Sequence, residues 1–171
     1  MSRDRVVSNA SPLIYLAKAG RLHLLHDLYR EVLIPDEVFR ETCMRQNTAD
    51  SVPIRSAIDD GWIKVRELDT GDAQILSTRA GIDAGEAAAI LLAKETRLVL
   101  LIDDKMGRSA AEILDIRCLG SVGVLLQTLH QEIVGLTEFK MVLDKMIDVG
   151  FYLDTKVYSK VLRVAEEISQ K

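Results

Sequence analysis

Residues 81–108 read GIDAGEAAAILLAKETRLVLLIDDKMGR, and this stretch decides the fold. A loop that contains glycine leads into a predicted helix over 83–96, and a predicted strand follows over 98–102. The strand is entirely apolar, without the polar alternation of a strand that has one face in water. We therefore expect a central strand of a parallel sheet, covered on both faces. Asp103 and Asp104 follow it directly, at the edge where open α/β sheets bind ligands.

The composition is that of one ordinary globular domain. The chain has 171 residues, of which 48% are hydrophobic and 28% charged, and we expect a single domain over 1–171 with 137–171 as a C-terminal helical extension packed on it. Its apolar runs are far shorter than the roughly 20 residues of a membrane span, and its first residues lack the apolar core of a signal peptide. We therefore expect a cytoplasmic protein that does not bind membranes. The net charge of −4 argues against unspecific adhesion to polyanions, but it allows a local basic rim around an acidic metal site.

Strands and helices alternate on both sides of the central stretch. A short apolar strand over 6–8 precedes a helix that we expect to begin with Ser11 as N-cap and Pro12 at its first position. A second strand over 31–34 leads into another helix, and 62–66 alternates like an edge strand. Right-handed crossovers would stack such units into a mainly parallel sheet with helices on both sides. The predicted fold is thus a three-layer α/β/α sandwich.

Polar side chains with oxygen donors recur where the predicted strands end. In a parallel sheet these ends share one edge, so we expect convergence there of Asn9, Glu37 or Glu41, Glu86, Asp103 and Asp104. Two carboxylates about 4 Å apart repel by about 4 kcal/mol at an effective dielectric constant of about 20, so convergence calls for a cation, a shared proton or basic neighbours. Oxygen donors suit Mg²⁺ or Mn²⁺ and disfavour zinc. Metal-assisted hydrolysis of a phosphate ester is the chemistry that such a site supports.

The acids of the central stretch also have structural explanations. Asp83 and Glu86 have the spacing of a capping box, in which Glu86 would only satisfy the first backbone N–H groups of its helix. Asp103 or Asp104 can be the N-cap of the next helix, but only one residue can hold that position. The doublet is therefore better evidence for a site than either residue alone.

The remaining candidates carry similar alternatives. Glu37 and Glu41 could form a solvated helix face, and Asn9 could be a turn former. Lys105 and Arg108 follow the aspartates closely and could contact substrate phosphates, whereas their alternative is ordinary solvated charge. The recurrence of acids at strand ends is what favours the functional interpretation.

At this point the sequence resembles the PIN-domain nucleases, which include VapC-like toxins of toxin–antitoxin pairs. The resemblance rests on Asn9-Ala-Ser11-Pro12, Ile34-Pro35-x-x-Val38-x-x-Glu41, Asp83-x-Gly85-Glu86, Asp103-Asp104-x-x-x-Arg108 and Gly120-Ser-Val-Gly123. Asn-x-Ser-Pro in the first motif and the doubled Asp in the fourth are most similar to one subgroup. The resemblance implies an α/β/α sandwich and cleavage of RNA that depends on Mg²⁺ or Mn²⁺. It also implies a homodimer and, for a toxin, a small antitoxin protein as partner.

The resemblance assigns roles by position. The acids of the family correspond to Asn9, Glu41, Glu86 and Asp104, with Asp103 beside them and Ser11 as a supporting polar group that we expect to contact the substrate. The family usually has Asp where this chain has Asn9, and an amide oxygen can bind a metal ion without adding negative charge. A lower metal affinity is expected unless Asp103 compensates.

Two hypotheses of different classes follow, with a third ranked last. The first is a metal-dependent ribonuclease in which Glu41, Glu86 and Asp104 hold the ion, Asp103 assists, and Lys105 or Arg108 contacts the scissile phosphate. The second is a non-catalytic PIN-like module that binds RNA or a protein through a degenerate metal site. A phosphatase ranks last, because such enzymes use an aspartyl nucleophile in a D-x-D context that the first strand lacks.

Overall fold

The computed structural model describes residues 4–44 and 47–171. In this part of the chain five strands form one sheet. The strands are β1 (Arg5–Ser8), β2 (Glu31–Pro35), β3 (Ile63–Arg66), β4 (Leu100–Leu101) and β5 (Cys118–Leu119). The helices are α1 (Ala10–Lys18), α2 (His23–Leu28), α3 (Asp36–Cys43), α4 (Ser51–Asp59), α5 (Thr70–Ala80), α6 (Ala84–Thr96), α7 (Lys105–Ile113), α8 (Ser121–His130), α9 (Leu136–Asp148) and α10 (Thr155–Ser169).

The sheet is parallel throughout, with the strand order β3-β2-β1-β4-β5. β1 lies at its centre, where Val7 pairs with Leu33 of β2 on one side and with Leu100 of β4 on the other. β3 is an edge strand, as the alternation over 62–66 predicts. Because all strands run in the same direction, their carboxyl ends share one edge of the sheet. The predicted parallel α/β architecture is confirmed.

The strand predicted over 98–102 is confirmed as β4, although its ladder comprises only Leu100–Leu101. Hydrogen bonds extend its contacts beyond the ladder: the Val99 carbonyl accepts from the Val7 N–H at 3.0 Å, and the Ile102 N–H donates to the Leu119 carbonyl at 3.0 Å. Leu100, Leu101 and Ile102 are fully buried. Each such side chain contributes about 1.5–3 kcal/mol of hydrophobic stabilisation.

Alternate residues of the central strands enter two separate apolar cores, which explains the three layers. Val6 and Leu101 face a larger core with α1, α2, α3, α4, α8, α9 and α10, whereas Val7 and Leu100 face a smaller core with α5, α6 and α7. Because a strand directs successive side chains to opposite faces, a strand covered on both sides needs a continuous apolar run. The predicted α/β/α sandwich is therefore the observed fold.

The predicted start of the first helix is wrong by two residues. Asn9 occupies the N-cap with extended backbone (φ −76°, ψ 173°), and α1 begins at Ala10. Ser11 and Pro12 are thus the second and third helical residues. Pro12 is tolerated there because the first turn of a helix leaves its N–H groups without helical partners, so a missing N–H costs nothing.

The last two helices lie against the larger core. Phe139 and Leu143 of α9 are fully buried there, and Val161 and Ala165 of α10 pack into the same cluster. Among the described residues, no helix combines the length and apolar character that crossing a membrane requires.

Candidate active site at the carboxyl edge of the sheet

Asn9 lies at the centre of this edge, directly after β1. Its backbone N–H donates to the Leu101 carbonyl at 2.9 Å, which holds it against the end of β4. The side chain occupies the N-cap of α1 but makes no capping hydrogen bond, and the residue is only 4% exposed. Its Oδ1 atom is buried and has no hydrogen-bond partner among the described residues. A buried acceptor without a partner costs about 1–3 kcal/mol, so this oxygen has unused capacity to bind a ligand.

The helix that follows β2 supplies the two glutamates that the strand-end pattern left open and of which the family resemblance selects Glu41. A Cβ atom at Gly85 would lie 3.1 Å from Oε2 of Glu41, so the Glu41 carboxylate lies against the first turn of α6. Glu37 has a buried Oε2 atom without a hydrogen-bond partner in the described part of the chain. Glu41 therefore reaches the acids of α6, while Glu37 carries the second unsatisfied side-chain oxygen.

Glu86 takes part in the predicted capping box and also lies among the acids of the candidate site. The predicted capping box is confirmed: Asp83 Oδ1 accepts from the Glu86 N–H at 2.7 Å, and Glu86 Oε2 accepts from the Asp83 N–H at 3.1 Å. Glu86 is 8% exposed. Burial is the main cause that raises its pKa to about 7; the charges of Asp83, Asp104 and Glu41 add to this, and the hydrogen bond from Asp83 opposes it. Glu86 is thus a buried acid surrounded by three others.

The aspartate doublet divides into two roles. Asp104 is the N-cap of α7 and accepts the Gly107 N–H on Oδ2 at 2.8 Å. Asp103 accepts the backbone N–H of Ser121 on Oδ1 at 2.7 Å and the Ser121 hydroxyl on Oδ2 at 2.6 Å. Burial raises the pKa of Asp103, whereas Ser121 and the charge of Arg108 lower it. Asp104 thus belongs with Glu86, and Asp103 connects β4 to α8.

The predicted substrate contacts occupy different places. Arg108 lies close to Asp103: its Nη1 atom is 3.4 Å from the position of a Cβ at Gly120, and its charge acts on the Asp103 carboxylate. Ser11 is half-buried in the first turn of α1. Lys105 is exposed and lines a groove on the outer side of α7. The contacts of these three residues with RNA stay predictions.

Sequence reasoning quoted three residues that shape this edge only as parts of motifs and gave them no role. Ser121 supplies both hydrogen bonds to Asp103, and Gly85 and Gly120 allow the close approach of carboxylates. A Cβ at Gly120 would lie 3.1 Å from Asp103 Oδ1. The available signal was the Gly-Ser pair directly after β5, where a hydroxyl and a helix N-terminus meet the same sheet edge.

The donors at this edge match a hard divalent cation in type. All are carboxylate or amide oxygens, and the unsatisfied Oδ1 of Asn9 is an acceptor that such an ion would complete. In the part of the chain that the structure describes, no three His, Cys, Asp or Glu side chains form a ready-made metal cage. The residues thus fit Mg²⁺ or Mn²⁺ by their chemistry, and Asn9, Glu41, Glu86 and Asp104 are the candidates to hold it.

Comparison with known proteins agrees with the geometry. The model of the PIN domain family matches residues 5–167, which cover all five strands and the whole candidate site. Neither the search of curated proteins nor that of solved structures found a match. The matched region spans well over half of the sequence, and the chain therefore belongs to the PIN domain family.

Proposed function

We propose that this protein is an endoribonuclease that depends on Mg²⁺ or Mn²⁺. PIN domains are generally nucleases that use divalent metal ions, and the chain has their fold. The observation that carries the proposal is Glu86, an acid held at 8% exposure with a pKa of about 7 in the field of Asp83, Asp104 and Glu41. The charges of Asp83, Asp104 and Glu41 all act against ionisation of Glu86, and a bound cation would relieve this repulsion.

Each residue of the edge has a role in this proposal. Glu41, Glu86 and Asp104 hold the cation, with the uncharged Oδ1 of Asn9 as a further donor. A divalent cation in such a site lowers the pKa of its bound water and neutralises charge on a phosphate. Asp103 assists by fixing the edge through Ser121. Arg108 offers a guanidinium group to the scissile phosphate, a geometry that suits phosphate oxygens.

The test is cleavage of labelled single-stranded and structured RNAs in Mn²⁺, in Mg²⁺ and in EDTA. Asp104→Asn is the informative variant, because Asn is as good an N-cap as Asp and leaves α7 intact. Asp154→Asn is its matched control: Asp154 caps α10 by accepting the Lys156 N–H at 2.8 Å, on an element outside the site. Metal-dependent products that disappear only with Asp104→Asn support the proposal. Equal cleavage by both variants would remove Asp104 from the mechanism.

The non-catalytic alternative has a specific observation in its favour. Asn9 stands at the central position of the edge and adds no charge there, which weakens attraction for a cation. A binding module of this kind would retain RNA in EDTA and yield no products in Mn²⁺. The same RNA panel, followed by a binding assay, therefore separates the two functions.

The assembly and the biological setting are proposed on the family resemblance. We infer that the protein forms a homodimer and that residues 1–171 form one domain, with 137–171 as a helical extension. We also infer that it is a toxin whose partner is a small antitoxin protein. Met141 and Tyr152 are exposed apolar residues of the C-terminal region, 62% and 86% accessible, and offer contacts to an antitoxin. Co-purification of this protein with the product of an adjacent gene, lost in Tyr152→Asp, would test that partner.

A further inference from the structure

The outer side of α7 carries an apolar stripe that the rest of the described chain leaves uncovered. Met106 and Ile113 are 57% and 82% exposed, and Ala110 lies between them. These residues are four and three positions apart, so they follow one line along a helix. Together with Ala80, Lys105 and Ser109 they line a groove of about 460 Å³.

One basic and one acidic side chain lie beside this stripe. Lys105 and Glu112 are seven residues apart, which places both on the same flank of the stripe, one at each end of α7. Within residues 4–44 and 47–171, neither residue takes part in an ion pair. A helix laid antiparallel on α7 would therefore be best matched by an acidic residue near Lys105 and a basic residue near Glu112.

A second copy of α7, laid antiparallel on the first, provides these charges at the required positions. In an antiparallel pair related by a two-fold axis near Ala110, Met106 of one copy meets Ile113 of the other, and Lys105 of each copy comes within reach of Glu112 of its partner. A two-fold axis makes every such contact twice, so both charges of both copies are matched. A second copy of this chain satisfies the apolar and the charged requirements together.

We propose that the protein forms a homodimer through the outer side of α7, with Met106 and Ile113 at the centre and two Lys105–Glu112 ion pairs at the rim. This deepens the homodimer part of the proposed function, and it does not require nuclease activity. Asp104 caps the same helix, six residues from the two-fold axis, so the dimer places the two candidate sites at opposite ends of the helix pair, about 18 Å apart along its axis. Two nine-residue helices bury less than the roughly 1,200–2,000 Å² of a stable interface, so the expected Kd is micromolar.

Sedimentation equilibrium between about 1 and about 200 µM protein tests the interface. Ile113→Asp should leave only monomer, because it places a charge at the apolar centre. Met141→Asp is the matched control, since Met141 is similarly exposed but lies on α9, and it should dimerise like the unaltered protein. Circular dichroism of each variant verifies that the helices are retained.

A charge exchange identifies the partner surface. Lys105→Glu and Glu112→Lys should each raise the Kd at least about tenfold, because each places like charges opposite one another. The double variant should return to within about threefold of the original Kd, because the exchanged pairs match again. A second copy is the only partner for which this rescue is expected.

Three outcomes would overturn the proposal: an unaltered protein that stays monomeric over the whole range, a dimer that survives Ile113→Asp, or dissociation caused by Met141→Asp. A monomer that cleaves RNA would refute the interface and leave the nuclease proposal standing. If the protein dimerises and the double charge variant restores the Kd, but no RNA is cleaved, the interface would stand and the nuclease proposal would be refuted.

Discussion

Ser121 binds both carboxylate oxygens of Asp103, with its backbone N–H on Oδ1 and its hydroxyl on Oδ2. The pair joins the end of β4 to the first turn of α8, and Ser121 is fully buried. Both oxygens of Asp103 are thus already engaged, whereas Asp104 keeps one oxygen outside its capping bond. The two neighbouring acids therefore contribute differently, the first to the shape of the edge and the second to its charge.

We expect Ser121→Ala to lower the free energy of unfolding by about 1–3 kcal/mol, the usual value of a hydrogen bond to a charged group that becomes unsatisfied. The backbone N–H still binds Asp103, so the fold should survive. Urea denaturation measures the change. Ser159→Ala, at an exposed position of α10, is the control and should change the stability by less than about 0.5 kcal/mol. Equal stabilities of the two variants would show that the hydroxyl contact contributes nothing.

Glu86→Gln should stabilise the metal-free protein at neutral and higher pH. The pKa of Glu86 rises from 4.5 to about 7 on folding, so between these values the folded chain holds a proton that the unfolded chain has lost. Stability of the unaltered protein therefore falls as pH rises through this window, and Gln removes the loss. We expect a gain on the order of 1–3 kcal/mol at about pH 8 and little at about pH 4.5.

The measurement is urea denaturation in EDTA across that pH range. Glu167→Gln, at an exposed position of α10, is the matched control and should show no comparable dependence. A gain for Glu86→Gln that is the same at both ends of the range would mean that burial of the carboxylate does not limit the stability of the protein.

Asn9→Asp should have opposite effects with and without metal. In EDTA it places a carboxylate where Oδ1 is buried without a partner, which should lower the stability. With Mn²⁺ the added charge should tighten binding about tenfold, which corresponds to about 1.4 kcal/mol. Calorimetric titration with Mn²⁺ measures the affinity, beside Asn9→Ala, which should weaken it. An affinity that none of these changes alters would place the metal ion away from Asn9.

Gly85→Ala should separate activity from stability. Its Cβ would lie 3.1 Å from Glu41 Oε2, so the flexible end of Glu41 must move by a few tenths of an ångström. The backbone is helical there, and Ala favours a helix by about 1 kcal/mol over Gly, so the melting temperature should be unchanged or higher. Cleavage should nevertheless decrease. Gly135→Ala, where nothing lies within 4 Å of the added Cβ, is the control for activity. Full cleavage by Gly85→Ala would show that the position of Glu41 is not critical.

Local sequence signals predicted the architecture and part of the site. The unbroken apolar run that became β4 predicted a strand covered on both faces, and the spacing of Asp83 and Glu86 predicted the capping box that the structure contains. Such features depend on a few neighbouring residues, so one sequence is enough to recognise them.

Other features depend on competition or on distant contacts. Asn and Ser are about equally good N-caps, so the pattern around Asn9 and Ser11 could not place the start of α1. Ser121 is 18 residues from Asp103, and the bond between them exists only because β4 and β5 are neighbours. The strand-end pattern likewise left Glu37 and Glu41 open, because the contact of Glu41 with α6 depends on the packing of α3 against α6; only the family resemblance selected Glu41 from the sequence.

The position of β1 at the centre of the sheet also determines when the candidate site can exist during synthesis. Val7 is synthesised early, but its partner Leu100 in β4 is synthesised much later. The backbone N–H of Asn9 likewise has no acceptor until Leu101 has been added to the chain. A nascent chain that ends before residue 100 therefore lacks β4, so one side of β1 is unpaired, and it also lacks Asp104. A nascent chain therefore carries no assembled acidic edge until more than half of the protein has been made.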